Sequence, residues 1–265
     1  AESLAVRFSA MTAVTGYEQA MTDSLLALVP GSARDRTGNV TLKLGNGTPR
    51  RLISCSIDEI GYVVGNITDD GYLMLRRVGG GGRLYPLFDQ QLEGHRVTLF
   101  GRRGPVPGVV AVRSTHLTRG RPTLNDPPFT VDNAYIDVGA TSRDQVLALG
   151  IDALTPVSLT KRPIRYGKGL IAAPTAGRRS ACAALAAAAL SKPRVHGSVV
   201  VAFTVQGLYA DTAGLNTVKN LQGPFDDSRQ VSLPVKYGDT AVETVAVSDV
   251  DALVADVVKW IGRQP

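Results

Sequence analysis

Apolar positions along the chain repeat with three textures, and each texture predicts a different kind of element. From the start to about residue 65 the pattern reads helix, helix, strand, strand, strand. Met21, Leu25, Leu28 and Val29 recur at helical spacing within Gln19–Val29, and Pro30-Gly31 stops that helix. The turn residues Arg36-Thr37-Gly38-Asn39 lead into the alternation Val40, Leu42, Leu44, and Asn46-Gly47 is a hairpin signal. Leu52–Ile57, apolar apart from Ser54 and Ser56, reads as the next, buried strand.

From Asn66 to Arg165 the segments become short and alternating: Tyr72–Leu75, Arg96–Phe100, Val109–Val112, Tyr135–Val138 and Pro156–Leu159. Glycine clusters at Gly79–Gly82 and Gly101–Gly108 separate them, and Thr118–Asn133 reads as a long exposed loop. A single helix, Gln145–Leu149, follows a Thr141/Ser142 cap. This texture predicts a small β-barrel or sandwich inserted into another domain. From Tyr166 onward the longer periods return, with a helix at Arg179–Leu190 and strands at Val199–Val205 and Val231–Val235. In the last helix Val250, Leu253, Val254, Val257, Val258 and Ile261 line one face, with a start at Ser248 and Asp251 in the capping-box position. Trp260 reads as a packing residue. The expected organisation is therefore an α/β core, residues 1–65 plus 166–265, interrupted by a β-barrel domain at 66–165.

Composition changes this picture little. At 265 residues, with 44% hydrophobic and 20% charged, the chain has material for real cores. No apolar run approaches the roughly 18–20 residues that span a bilayer, so no membrane is expected. No leader pattern precedes Ala1, so a cytoplasmic location is expected, with a processed secreted form left open. The net charge of +6 includes Arg76, Arg77, Arg83, Arg96, Arg102, Arg103, Arg113, Arg119 and Arg121, but aromatics are only 6%. No basic run reaches five residues, so nucleic acid is an unlikely partner. Cys55 and Cys182 read as core thiols, and His95, His116 and His196 share no metal-binding spacing.

The chemistry concentrates in Leu52–Val64, LISCSIDEIGYVV, where Asp58 and Glu59 sit in apolar surroundings. This stretch resembles the A-H-x-D-E-I-G-x-x-V motif of the glutamyl-aminopeptidase and endoglucanase-M (cellulase M) family of dinuclear zinc metallopeptidases. Thr15-Gly16-Tyr17-Glu18, Arg36-Thr37-Gly38-Asn39-Val40, Asp70-Gly71-Tyr72, Glu93-Gly94-His95-Arg96-Val97, Ile136-Asp137-Val138-Gly139-Ala140 and Phe203-Thr204-Val205-Gln206 extend the resemblance in order. It implies a three-layer α/β/α aminopeptidase-like core, here shortened, with an inserted small β-barrel. It also implies zinc as cofactor and assembly into homo-oligomers.

The resemblance places the family's metal chemistry at positions that have changed. The zinc-binding His corresponds to Ser56, a poor ligand. The element that carries the bridging Asp corresponds to Gly177-Arg178-Arg179-Ser180-Ala181-Cys182. The general base and a ligand, adjacent Glu residues, correspond to Gly207-Leu208 after Val205-Gln206. The last His lies in a Y-x-H-S-P-x-E element, which puts Asp239 there within Tyr237–Glu243. A large part of the catalytic domain after Gln206 reads as deleted. The expected residual cleft holds Ser56, Asp58, Glu59, Arg178, Arg179, Gln206 and Asp239, with no metal, no confident catalytic residue and no cofactor. Asp58 and Glu59 are successive strand residues and should point apart. Buried carboxylates without a metal need another cation, so Arg178 or Arg179 is expected to pair with Asp58 or Asp239. The expected function is a catalytically degenerate relative serving as a binding or assembly module, with a peptide or small polar ligand. The alternative is a weak or altered metal-dependent aminopeptidase or hydrolase.

Overall fold

A computed structural model describes residues 1–80, 87–112, 129–209 and 212–264. The chain divides into two compact units, one of residues 1–59 and 161–265, the other of residues 60–160. In chain order the first unit supplies α1 (Glu2–Ser9), α2 (Gln19–Leu28), β1 (Ala33–Arg34), β2 (Val40–Gly45) and β3 (Arg50–Ser56). The second unit holds β4 (Gly61–Ile67), β5 (Leu73–Val78), β6 (Arg96–Gly101), β7 (Gly104–Ala111), β8 (Tyr135–Asp137), α3 (Arg143–Ala148) and β9 (Pro156–Leu159). The first unit resumes with β10 (Ile164–Tyr166), β11 (Leu170–Ala172), α4 (Ala176–Leu190), β12 (Ser198–Thr204) and α5 (Ala213–Gln222). It ends with β13 (Asp227–Gln230), β14 (Thr244–Ala246) and α6 (Val247–Gly262).

The main sheet of the first unit has the order β1-β2-β12-β3-β13. Asn46-Gly47 does not close a hairpin, because β12 lies between β2 and β3, antiparallel to the first and parallel to the second. All seven residues of β12 are buried, including Val199, Val200, Val201 and Phe203. Each such side chain stabilises by about 1.5–3 kcal/mol when withdrawn from water, which outweighs the preference of a two-residue turn. One sheet face packs on α1, α2, α4 and α6 through a core that includes Phe8, Ile53, Leu185, Val201 and Val257. The other carries Leu52, Val200, Ala202 and Val218, covered from α5. The α/β expectation holds for this unit.

Three local expectations are corrected. The strand drawn at Val231–Val235 lies instead at Asp227–Gln230, paired in parallel with β3, after which Pro234 lies in a segment without a ladder. Helix α6 begins at Val247 after Ala246, with no side-chain cap, so Ser248 and Asp251 do not form the capping box. Cys55 and Cys182 are not thiols but a disulfide, with their Cα atoms 5.5 Å apart. That bridge fastens the end of β3 to α4.

The second unit is a closed antiparallel barrel of order β4-β5-β8-β7-β6-β9. Alternation puts Leu73, Leu75, Val97, Leu99, Val110, Ile136 and Val157 inside it. Helix α3 is capped as its sequence indicates, with Ser142 Oγ accepting from the Gln145 N–H. Buried Asp89 receives the Tyr62 hydroxyl, the Arg77 guanidinium and the Val131 N–H, and burial beside that carboxylate pushes the Tyr62 phenol up. Of the barrel arginines, Arg77 thus serves structure, Arg102 pairs with Asp152, and Arg103 donates to the Ala148 carbonyl. Arg83, Arg113, Arg119 and Arg121, His116 and most of the Thr118–Asn133 loop lie outside the described residues. Among the described residues no helix is long and apolar enough to cross a membrane.

Candidate functional site

Where β3 ends, the chain delivers three polar residues to the first unit's interior. Ser56 Oγ donates to Asp58 Oδ1 at 2.5 Å, Thr15 Oγ1 to Asp58 Oδ2 at 2.6 Å, and the Leu208 N–H to the same oxygen at 2.8 Å. Arg178 Nη1 completes the set at 3.5 Å from Asp58 Oδ1. This is the guanidinium–carboxylate contact that charge balance called for.

Glu59 has different partners. Its carboxylate pairs with the Lys161 ammonium, lies 3.4 Å from Arg179 Nη2, and accepts from the Ala13 N–H at 3.1 Å and Thr175 Oγ1 at 3.2 Å. Burial alone would raise its pKa, but Lys161 and Arg179 together outweigh that and hold the carboxyl below its usual range. Burial pulls Lys161 down, and Arg179 adds to it, since two cations face one carboxylate there. Asp58, Glu59 and Arg179 are sealed from solvent, each no more than 1% exposed.

A cavity of about 370 Å³ lies beside these groups, lined by Ser56, Thr175, Arg178, Asp239 and Glu243 among others. Of the expected cleft residues, Ser56, Arg178 and Asp239 line it. Asp58, Glu59 and Arg179 are enclosed rather than lining, and Gln206 contributes its N–H to Glu18 Oε1 at 2.8 Å. Glu243 takes the Gly177 N–H at the start of α4 at 2.6 Å and the Asp239 N–H at 3.1 Å. Burial raises the carboxyls of both Glu18 and Glu243. Lys161, Glu18, Thr15 and Glu243 were not among the expected cleft residues. Thr15, Glu18 and Glu243 stood in motifs that carry the resemblance, whereas Lys161 reaches the site only through a tertiary contact. His95 and His196 are exposed.

These residues do not fit a pair of metal ions. Both Asp58 oxygens already accept hydrogen bonds, and three cations stand around Asp58 and Glu59 where divalent ions would need open oxygen or nitrogen donors. Among the described residues no group of three His, Cys, Asp or Glu side chains could hold a metal. A Cβ added to Gly207 would lie 2.0 Å from Ser56 Oγ and 2.9 Å from Ser56 Cβ, so a side chain there would require Ser56 to shift.

The described fold and its motifs now meet known proteins. The M42 glutamyl aminopeptidase family matches residues 38–207, more than half of the chain. The chain belongs to that family. Within it, the chain is 33% identical over 180 residues to SgcX of Escherichia coli (strain K12), a match covering 65% of this chain and 46% of that protein. It is 28% identical over 142 residues to the lysyl aminopeptidase of Pyrococcus furiosus, covering 52% of this chain and 39% of that one. The matched stretch thus spans less than half the length of these M42 relatives. Among solved structures, the PhTET1-12s dodecamer superposes with a TM-score of 0.80 at 20% identity, covering 99% of both chains. An endoglucanase (tm1049) from Thermotoga maritima superposes at 0.70 and 19% identity, covering 97% of this chain and 99% of that one. These likenesses establish the aminopeptidase-like fold with its barrel.

Proposed function

We propose that this M42 family member is a catalytically degenerate aminopeptidase homologue that works as a binding or assembly module without hydrolysing peptides. One observation carries the reading: the two carboxylates of the D-E-I-G motif are paired with the cations Arg178, Arg179 and Lys161. Water activation in a zinc hydrolase needs the metal and a base beside it. Here guanidinium groups cannot accept a water proton, and Gly207, packed against Ser56, brings no carboxylate. Family membership is what favours the alternative, a weak or altered metal-dependent hydrolase, and the site's charge arrangement speaks against it. The remaining cavity is suited to a peptide end or a small polar ligand.

Assembly of copies is the second half of the reading. It is supported by structural relatives that assemble, PhTET1-12s as a dodecamer and the Pyrococcus horikoshii TET1 peptidase as a tetrahedron or a large octahedral shell. The test is titration of the purified protein with zinc, cobalt and manganese. We expect no rise in melting temperature and no hydrolysis of chromogenic amino-acid anilides, with a multiple of the chain mass by light scattering. Metal-dependent hydrolysis would end the non-enzymatic reading, and a clean monomer would end the assembly half.

A further inference from the structure

We infer that the cavity is a site for a free α-amino acid with an apolar side chain, its carboxylate on Arg178 and its ammonium on Asp239. The inference rests on the non-catalytic reading and gives it a ligand class. Among the described residues Arg178 has a single polar contact, the long one of 3.5 Å to Asp58. Asp58 is already engaged by Ser56, Thr15 and the Leu208 N–H at 2.5–2.8 Å. Most of the guanidinium fork is therefore unspent, its side chain is 33% exposed, and it forms part of the cavity wall. A planar fork of N–H donors matches a carboxylate bidentately, as an ammonium cannot.

The lining also carries acid, Asp239 and Glu243. Asp239 is exposed, and among the described residues it makes no ion pair. Its backbone is held at φ +57°, with its N–H on Glu243 Oε2, and Thr175, also on the wall, is held at φ +62°. Left-handed conformations of this kind persist in side-chain-bearing residues only where the surroundings enforce them, and they collect at ligand clamps. The same lining includes Ala181, Val231, Leu233 and Val235, apolar groups for a side chain. The volume of about 370 Å³ admits an amino acid. It lies at the small end of the range for ligand sites.

Calorimetry on the intact chain tests this with L-leucine, L-leucinamide, N-acetyl-L-leucine and the tripeptide Gly-Gly-Leu. We expect leucine to bind, and the amide and the acetyl compound, each missing one charge, to bind at least about tenfold more weakly. Arg178→Gln should erase the preference for leucine over leucinamide, and Asp239→Asn the preference over N-acetyl-leucine. The comparison of ligands on the unaltered protein does not depend on either variant folding. Equal binding of leucine and its amide, or no saturable binding of leucine, would overturn the inference. Tighter binding of Gly-Gly-Leu than of leucine would also overturn it, by moving the ammonium away from Asp239. Anilide hydrolysis in the same preparation would strike the non-enzymatic reading itself, whereas missing leucine binding without hydrolysis strikes this inference alone.

Discussion

Arg179 is fully enclosed, with the Glu59 carboxylate 3.4 Å away and Met21 Sδ accepting from its Nη1 at 3.1 Å. At an effective dielectric near 20, charges at that separation attract by about 5 kcal/mol before desolvation is subtracted. The Nε and Nη2 atoms lack a hydrogen-bond partner of good geometry, so the pair is held by charge more than by hydrogen bonding. Replacing Arg179 with Met leaves Glu59 with fewer cations, and we expect about 3–5 kcal/mol less stability by urea unfolding. The double variant Arg179→Met, Glu59→Gln should recover much of the loss, and a single-variant loss under about 1 kcal/mol would contradict the account. Glu18 carries the opposite sign of linkage from Glu59. Its folded pKa is raised by burial above 4.5, so the unfolded chain releases its proton first and stability falls as pH rises from about 4.5 upward. Glu18→Gln keeps an acceptor for the Gln206 N–H and should gain on the wild type across that window. Parallel unfolding midpoints from pH 4.5 to 7 would refute this. The Arg178–Asp58 pair was legible in the sequence, because buried acids need cations and two arginines stood at the right motif. Lys161 was not, being 102 residues from Glu59 with no local pattern to link them.

At the scale of elements, α4 and β3 bring the site together. Helix α4 presents Arg178 and Arg179 from its first turn, and β3 ends at Ser56. The Cys55–Cys182 bridge joins them across 127 residues of sequence. By the loop-closure argument a bridge of that span stabilises by about 5 kcal/mol, mainly by restricting the unfolded chain. Urea unfolding with and without dithiothreitol should differ by up to that amount, and a Cys55→Ala, Cys182→Ala variant should show no difference. Identical curves for the unaltered chain would mean that the bridge contributes nothing. Helix α6 was readable from its period, since one face is buried and the 3.6-residue repeat survives in the sequence, and α3 from its Ser142 cap. The disulfide and the position of β12 were not, because both depend on which strand lies next to which, and that is settled by burial over the whole sheet.

For the whole molecule, each unit follows the layer rules that its sequence texture implies: helices on both faces of a mixed sheet, and a barrel closed on itself. The barrel was legible from its short alternating segments and glycine clusters, and the family from motifs spread over nearly the whole chain. The two positions that the resemblance marks as changed, Ser56 and Gly207, pack directly against each other.

The way the sheets terminate has a practical consequence. Closure of the barrel removes its unpaired backbone rim, and in the first unit the outermost strands β1, β13, β10 and β14 are two, four, three and three residues long. Short margins of this kind, with arginine or aspartate on β1, β13 and β10, offer poor templates for recruiting a stray strand. Copies of this chain should therefore meet through side-chain surfaces, and concentrated solutions should resist fibre growth.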